Sequence, residues 1–407
     1  MQHIDIEWVR AQFPAFVEGG LADQAFFENA GGSYPCRQVT DRLHRFYTER
    51  KVQPYAPYAV SELAGAEMDE ARNRLAVMLG VATDEVSFGP STTANTYVLA
   101  NAVRRWLQPK EAIVVTDQDH EANSGPWRRL AEEGHEVRVW QISPATGSLD
   151  PADLSPLLAD GRVRLVCFPH CSNVVAEIND VSAITALAHA AGARVCVDGV
   201  SYAPHGFPDV GALGCDVYLF SAYKTFGPHQ GIMVIRQGFG AELPNQGHWF
   251  NSGTLYKRFT PAGPDHAQIA ASAGMCDYMD ALSQHHGGPT GAAAARFAHD
   301  LMRSQEVTLL QPLLDYLADR NDLRLLGPTD AGMRAPTVAV DLGRDAESVA
   351  RALAPHGINA GGGNFYAVRP LQAMGIDIDR GVLRMSFVHY TTRDEVDRLM
   401  AALDLVL

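Results

Sequence analysis

The stretch DVYLFSAYKTFGPHQGIMVI (residues 216–235) decides the fold. It places two apolar runs, DVYLF and GIMVI, on either side of a turn that contains Lys224. Runs that are apolar throughout are typical of strands buried on both faces of a sheet. No other Asp, Glu, Lys or Arg occurs between Asp216 and Arg236. We therefore expect the Lys224 ammonium group at the edge of the core, where a buried strand ends.

Further apolar runs of strand length come before this stretch, and helical patterns lie between several of them. The runs cover residues 112–116, 136–142, 164–169 and 194–198, and the clearest helical patterns cover 64–80 and 181–192. Strands that alternate with helices are typical of a largely parallel α/β sheet covered by helices. The sequence thus predicts a large α/β domain, which we place at residues 15–280.

The pattern changes after about residue 285. A long helical stretch covers 292–320, and shorter strand candidates follow at 337–342 and 382–388. This order predicts a smaller C-terminal α+β domain over residues 281–407. We expect residues 1–14 to pack on that small domain.

Bulk properties exclude several classes of protein. The formal net charge of −14 over 407 residues argues against nucleic acid or an anionic membrane as the main partner. The sequence contains no apolar run near the roughly 20 residues needed to cross a bilayer, and MQHIDIEWVRAQFPAF at the N-terminus does not resemble a signal peptide. We expect a cytoplasmic protein. CFPHC (167–171) lacks a second Cys/His pair at zinc spacing, so we expect buried free thiols and no metal site.

Asp198 indicates a chemical role for Lys224. It ends the run RVCVD, and Lys224 follows the next strand candidate, DVYLF. Because the carboxyl ends of parallel strands meet at one edge, where ligands bind, the two side chains should share a pocket. A buried lysine can be neutral and form a Schiff base with an aldehyde, while a carboxylate suits a protonated ring nitrogen. Together they indicate pyridoxal 5′-phosphate (PLP) as the cofactor.

A site for PLP also needs groups that bind phosphate. FGPSTTANTYVL (88–99) places Ser91, Thr92 and Thr93 where a helix is expected to begin. Backbone N–H groups and hydroxyls at a helix start bind phosphate well, although such residues are also ordinary helix caps. Ser221, just before Lys224, offers another hydroxyl.

These pieces in combination resemble the class V aminotransferases, and within them the cysteine desulfurase branch. The resemblance rests on Asp-Gly at 198–199, Ser-Ala-Tyr-Lys at 221–224 and Gly-Pro at 227–228, and it extends from FFENAGGSYP (26–35) to HYTTRDEVDRL (389–399). It implies a fold-type I PLP-dependent transferase fold, with a mostly parallel seven-stranded sheet in the large domain. It also implies an amino-acid substrate and a homodimer with shared active sites.

The resemblance assigns roles to individual residues. Lys224 matches the lysine that holds PLP, and Asp198 the carboxylate at the pyridinium nitrogen. Arg384 matches the arginine that clamps the substrate's α-carboxylate, for which a planar guanidinium is well suited. His120 in DHEAN (119–123) matches a histidine that stacks on the cofactor ring, and Asn173 in CSNV (171–174) matches an asparagine that faces the cofactor. Three hydroxyls match phosphate-binding positions: Thr92, Thr93 and Ser221. Asn29 and Ala30 match a segment that crosses the active-site entrance.

Four positions depart from the family pattern. In GGGNFYAVRPLQ (361–372), Ala367 occupies the place of the desulfurases' nucleophilic cysteine, and none of the six cysteines falls in this stretch. Ser201 replaces a glutamine at the ring's phenolic oxygen, with a water or His205 to assist it. Tyr223 replaces a histidine and can still donate to phosphate. In AGPDH (262–266), Gly263 offers only a backbone N–H toward the neighbouring subunit's phosphate.

The substrate would bind by replacing Lys224 in the Schiff base, and three outcomes stay open after loss of the Cα proton. The leading hypothesis is β-elimination or C–S cleavage of a sulfur-containing amino acid without persulfide chemistry. The alternatives are transamination and epimerisation of the kind catalysed by isopenicillin epimerase. We expect the loop NFYAVRP (364–370) to shape the substrate pocket. Within it, Arg369 either recognises a second acidic group or faces solvent. A non-catalytic scaffold would be expected to lack Lys224 or Asp198, and both are present.

Overall fold

The computed structural model describes residues 3–21 and 23–407, so Met1 and Gln2 of the predicted N-terminal segment, as well as Ala22, lie outside the described residues. The strands form three sheets. In chain order they are β1 (Ala25–Phe26), β2 (Val86–Gly89), β3 (Ala112–Thr116), β4 (Glu136–Trp140), β5 (Val163–Pro169), β6 (Arg194–Asp198), β7 (Val217–Ser221), β8 (Gly231–Ile235), β9 (Arg324–Leu325), β10 (Thr337–Asp341), β11 (Ile358–Asn359), β12 (Gly361–Gly363) and β13 (Val382–Ser386).

The helices cover the sheets and include one of 27 residues, α14. No helix within residues 3–21 and 23–407 combines the length and apolar character needed to span a bilayer. The helices are α1 (Ile6–Ala11), α2 (Pro14–Val17), α3 (Arg37–Arg45), α4 (Ala59–Met78), α5 (Thr92–Trp106), α6 (Glu121–Arg128), α7 (Pro151–Leu158), α8 (Val181–Ala190), α9 (Val210–Leu213), α10 (Gln237–Glu242), α11 (Leu255–Arg258), α12 (His266–Ala271), α13 (Ala273–His285), α14 (Ala292–Ala318), α15 (Ala346–Leu353), α16 (Val368–Ala373) and α17 (Arg393–Val406).

The largest sheet has seven strands in the order β2-β8-β7-β6-β5-β3-β4. Strands β3 to β7 pair in parallel, whereas β8 runs antiparallel to both of its neighbours. Every residue of β3, β7 and β8 is buried, as the uninterrupted apolar runs predict. The predicted mostly parallel seven-stranded sheet is confirmed.

A second sheet follows α14 in the chain. It has four strands in the order β12-β13-β10-β9, and all its pairings are antiparallel. Leucines of α14, β13 and α17 form a separate core with it, including Leu310, Leu314, Leu383 and Leu399. This arrangement has the α+β character predicted for the C-terminal part.

The N-terminal segment contacts elements from both predicted domains. Phe13 packs edge-on against Phe226 and Tyr390, with ring centroids 5.6 and 4.9 Å apart. Arg10 pairs with Glu395 at 3.1 Å. Phe226 lies in the predicted large domain, and Tyr390 and Glu395 in the small one. The division into domains stays a prediction.

Candidate active site

The carboxyl edge of the seven-stranded sheet contains a cavity lined by most of the predicted cofactor residues. Each lies at or just after the carboxyl end of a strand of the sheet: the helix start at 91–93 follows β2, His120 follows β3, Asn173 follows β5, Asp198 ends β6, and Lys224 follows β7. Nine of the ten residues predicted to bind the cofactor line this one cavity: Thr92, Thr93, His120, Asn173, Asp198, Ser201, Ser221, Tyr223 and Lys224.

Lys224 lies in a short 3-10 turn that follows β7 directly. Of the four lysines in the chain, it is the buried one. Its amine makes no hydrogen bond or ion pair with another described residue. Burial, together with the nearby Arg384 charge, lowers the pKa of Lys224 to about 8, although the Asp198 carboxylate acts to raise it. About a tenth of the amine is therefore neutral, and nucleophilic, at pH 7.

Asp198 is buried at the end of β6, and its Oδ1 accepts a hydrogen bond from the Val200 N–H at 2.9 Å. Burial raises the pKa of Asp198 to about 6, while the Val200 N–H and the Lys224 charge act to lower it. A buried carboxylate whose pKa is raised in this way is stabilised in its charged form by a cationic hydrogen-bond donor. The protonated ring nitrogen of PLP is such a donor.

His120 is the N-cap residue of α6, and its Nδ1 accepts a hydrogen bond from the Ala122 N–H at 3.0 Å. Burial, and then the charges of Lys224 and Arg384, lower the pKa of His120 to about 3. The imidazole is therefore neutral, with its proton on Nε2. A neutral, flat ring at this place suits stacking on another ring better than proton transfer.

The groups predicted to bind phosphate lie where α5 begins. The Ser91 hydroxyl accepts from the Ala94 N–H at 3.1 Å. The N–H groups of Thr92 and Thr93 stand before it at the helix start, where no intrahelical acceptor is available. A Cβ atom at Gly231 would lie 2.6 Å from the Thr92 nitrogen, so only glycine allows β8 to pass so close to the helix start.

Unpaired polar groups around the cavity fit PLP. The Oδ1 of Asn173 is buried and has no hydrogen-bond partner among the described residues. Together with the free Lys224 amine, the Asp198 carboxylate and the α5 N-terminus, it supplies donors and acceptors for an aldehyde, a ring nitrogen, a ring hydroxyl and a phosphate.

Arg384 lies on β13 beside this cavity. Its Nη2 donates to Glu28 Oε1 at 2.5 Å, and its Nη1 donates to the Asn173 carbonyl oxygen at 3.4 Å. The Phe365 ring lies against the guanidinium, 3.8 Å from ring centroid to Cζ. Burial lowers the pKa of Arg384, and the Glu28 carboxylate acts in the opposite direction. The predicted carboxylate clamp is thus an almost fully buried guanidinium.

Asn29 and Ala30 reach the same lysine from another side. They line a smaller cavity together with Ser201, His205 and Lys224. The Ala30 N–H donates to the Ser386 hydroxyl at 2.8 Å, which ties the segment to β13. The His205 Nδ1–H donates to Glu306 Oε1 at 2.9 Å, so this nitrogen is not free to assist Ser201.

Gly263 and Arg369 line neither of these two cavities. Gly263 lines two other clefts, one together with His248 and Asn251 and one together with Pro90 and Ala94 at the start of α5. Arg369 pairs with Glu121 at 3.3 Å and is partly exposed. In this structure Arg369 therefore has an internal partner in place of a second acidic group on a substrate.

The loop before α16 is tied down over the cavity. Phe365 and Tyr366 both have positive φ, 53° and 57°. Their carbonyl oxygens accept hydrogen bonds from Asn173 Nδ2 at 3.0 Å and from the Glu121 N–H at 2.9 Å. The next residue, Ala367, is fully buried. The position predicted to correspond to the desulfurase nucleophile therefore faces the protein interior.

Sequence reasoning missed two residues near the site, Cys171 and Glu28. Cys171 lines the cavity, and its thiol donates to the Ala176 carbonyl oxygen at 3.3 Å. Burial raises the pKa of that thiol to about 12, and the other five cysteines are buried too. Glu28 had a signal in the sequence, because it is the only charged residue between Asp23 and Arg37.

Comparisons with known proteins agree with this geometry. The sequence model of the family described as Aminotransferase class-V matches residues 25–399. An "aminotransferase-like protein FGM3" from Gibberella zeae is 34% identical over 99% of this chain and 98% of its own length. A cysteine desulfurase from Serratia proteamaculans is 32% identical over 98% and 97%. The apo structure of a cysteine desulfurase from Thermococcus onnurineus superposes with a TM-score of 0.85 at 22% identity, covering 100% of this chain and 99% of the other, which supports the fold.

Proposed function

The chain belongs to the class V aminotransferase family, and from that premise we propose that it is a lyase that cleaves the Cβ–S bond of a sulfur-containing amino acid without a persulfide on the protein. Its cofactor is PLP, as in class V aminotransferases and cysteine desulfurases. When bound, PLP withdraws electrons from the substrate's Cα and so weakens the bonds at that atom. The residues of this chain then decide which bond breaks.

Arg384 would hold the substrate's α-carboxylate, because a buried guanidinium pairs bidentately with a carboxylate. Because the Arg384 charge acts on the Lys224 amine, a carboxylate fixed at Arg384 would bring the substrate's Cα toward that amine. The Lys224 amine, with its pKa lowered to about 8, is suited to take the Cα proton near neutral pH. Loss of the sulfur substituent from Cβ with its bonding electrons completes the elimination.

The observation that carries this proposal is the state of the thiols. A desulfurase needs a thiolate that attacks the substrate's sulfur, and only the thiolate form is nucleophilic. All six cysteines are buried, none lies in 361–372, and the one beside the cavity, Cys171, has a pKa of about 12. Elimination requires no such thiolate.

Incubation of the PLP-loaded enzyme with L-cysteine tests the proposal through its products. Elimination gives pyruvate, ammonia and sulfide, whereas desulfuration gives alanine. Transamination would convert the cofactor to its amine form, and epimerisation would change only the substrate's chirality. We expect pyruvate, and Cys171→Ser should leave the pyruvate-to-alanine ratio unchanged. Alanine as the main product, lost in the Cys171→Ser variant, would overturn the proposal.

We further propose that the enzyme is a homodimer whose interface includes the face around Gly263. Trp249 and Phe250 are 83% and 66% exposed beside the Gly263 cleft, and paired exposed aromatic residues are typical of interaction sites. Light scattering should report a dimer, and the double change Trp249→Glu with Phe250→Glu should produce monomers. A wild-type monomer at micromolar concentration would contradict this.

A further inference from the structure

The Glu28 carboxylate lies on the Arg384 guanidinium, at the place that the proposed function gives to the substrate's α-carboxylate. The Oε1–Nη2 distance is 2.5 Å, and the two residues are 356 positions apart in the sequence. We propose that Glu28 sets the affinity of the site for carboxylates, as an internal counter-ion that a substrate carboxylate must displace from Arg384. This inference rests on the proposed function, because it takes Arg384 as the substrate clamp.

The backbone around Glu28 leaves room for its carboxylate. A Cβ atom at Gly361, which pairs with Arg384 across β12 and β13, would lie 2.7 Å from Glu28 Oε2. A Cβ atom at Gly31 would lie 2.9 Å from Oε1. A methyl group at either position would displace the carboxylate from where it lies. The carboxylate therefore occupies a space that two glycines keep open beside the guanidinium.

Glu28 uses only part of what Arg384 offers. The Arg384 Nε–H is buried and has no hydrogen-bond partner among the described residues, and the same is true of Glu28 Oε2. The pair is thus held by one hydrogen bond. A free carboxylate that meets the guanidinium edge-on would bind Nε–H and Nη2–H together, and such bidentate pairs are stronger. An incoming α-carboxylate can therefore replace Glu28 with a net gain of hydrogen bonds.

Burial determines which partner moves. The Arg384 side chain is 3% exposed and held by the Phe365 ring and the Asn173 carbonyl oxygen, whereas the Glu28 side chain is 29% exposed. A displaced Glu28 carboxylate can turn into water, where its charge is solvated, but the guanidinium cannot. Glu28 should therefore move away while Arg384 stays in position.

Competition by Glu28 weakens the binding of every carboxylate, so its removal should tighten binding. The probe is propionate, which carries a carboxylate but no amine and cannot react. Titration of the PLP-loaded enzyme, followed by calorimetry and by the cofactor's visible absorbance, should give a Kd about tenfold lower for Glu28→Gln than for wild type. For the amino-acid substrate, KM should fall similarly while kcat changes little.

Controls separate the possible failures. Glu347 forms an exposed pair with Arg351, so Glu347→Gln should bind propionate as wild type does. Glu28→Asp keeps the charge on a shorter side chain and should bind propionate with an affinity between those of wild type and Glu28→Gln. It replaces Glu28→Gln in the test if that variant fails to fold. Propionate affinity that is unchanged or weaker in both Glu28 variants overturns the inference. If Arg384→Ala also binds propionate like wild type, the clamp of the proposed function fails as well. If Arg384→Ala loses binding, only the role of Glu28 is rejected.

Discussion

The hydroxyl oxygens of Thr92 and Ser221 lie 2.8 Å apart, although 129 positions separate them in the sequence. Thr92 begins α5, and Ser221 ends β7, one turn before Lys224. The contact brings the predicted phosphate-binding groups next to the residue predicted to hold the aldehyde. One edge of the sheet would thereby hold both the phosphate and the aldehyde end of the cofactor.

Thr92→Val should weaken the binding of PLP. The change keeps the shape of the side chain but removes a hydroxyl that would bond to phosphate, and a hydrogen bond to a charged group contributes about 1.5–3 kcal/mol. This corresponds to roughly a tenfold to hundredfold rise in Kd for PLP, measured by titration of the apoenzyme. The matched control is Thr96→Val, one turn further along α5, where the hydroxyl donates to the Thr92 carbonyl oxygen. An equal loss in both variants would argue against phosphate binding by Thr92.

The rate at which the apoenzyme captures PLP should rise with pH around a midpoint near 8. The reactive species is the neutral amine of Lys224, whose pKa burial lowers to about 8 from the usual value of about 10.4. Removal of the nearby negative charge in Asp198→Asn favours the neutral amine and should move the midpoint lower, whereas Arg384→Ala should move it higher. Stopped-flow absorbance at a series of pH values gives these midpoints. A wild-type midpoint above 10 would contradict the burial of the amine.

His120 should stay neutral throughout the physiological range. Its pKa is lowered to about 3 by burial and by the charges of Lys224 and Arg384. In NMR spectra of the apoenzyme its ring signals, assigned by their absence in His120→Asn, should not shift between pH 5 and 8. A solvent-exposed histidine titrates near 6.5 and so provides an internal reference. A titration of His120 in that range would show that the ring is charged beside Lys224.

Glu306 should contribute strongly to stability. It is fully buried, and its two oxygens pair with His205 at 2.9 Å and Arg303 at 3.2 Å. Burial acts to raise the pKa of Glu306, but these two partners outweigh it and the pKa is lowered. Glu306→Gln should therefore reduce the free energy of unfolding by about 3 kcal/mol at pH 7, because it leaves the Arg303 guanidinium and the His205 N–H without their carboxylate partner.

The pH dependence of this effect has a definite sign. A carboxyl group whose folded pKa is lowered stabilises the protein above its unfolded pKa of about 4.3, and that contribution is lost as the pH falls through the folded value. The difference between wild type and Glu306→Gln, measured by urea unfolding, should therefore shrink as the pH is lowered below about 4. Glu347→Gln, at an exposed pair, should stay within about 1 kcal/mol of wild type. A Glu306→Gln variant as stable as this control would contradict the prediction.

The parts of the site that follow buried strands could be predicted from the sequence. The run 194–198 was predicted with its observed bounds, and 216–220 to within one residue, because uninterrupted apolar runs stand out between helical patterns. Asp198 and Lys224 then had to share an edge, since parallel strands place their carboxyl ends together. The direction of β8 was not predictable in this way, because an apolar run does not indicate whether its strand is parallel or antiparallel.

Contacts between side chains that are far apart in the sequence could not be predicted from it. Glu28 and Arg384 meet because β13 passes beside the segment that follows β1, and no local pattern encodes that pairing. In the same way Arg369 is adjacent to Glu121 only through the folded loop before α16. The sequence shows that position 367 is an alanine and so has no thiol, but the burial of Ala367 depends on how that loop packs.

Reduction of the PLP-loaded enzyme with borohydride, followed by peptide mass spectrometry, tests the central claim most directly. Borohydride fixes the cofactor to the amine that holds it, and the chain has only four lysines. We predict one reduced cofactor per chain, on Lys224, and none in Lys224→Ala. Label on Lys51, Lys110 or Lys257, or an equal amount of label in Lys224→Ala, would contradict the assignment of the site.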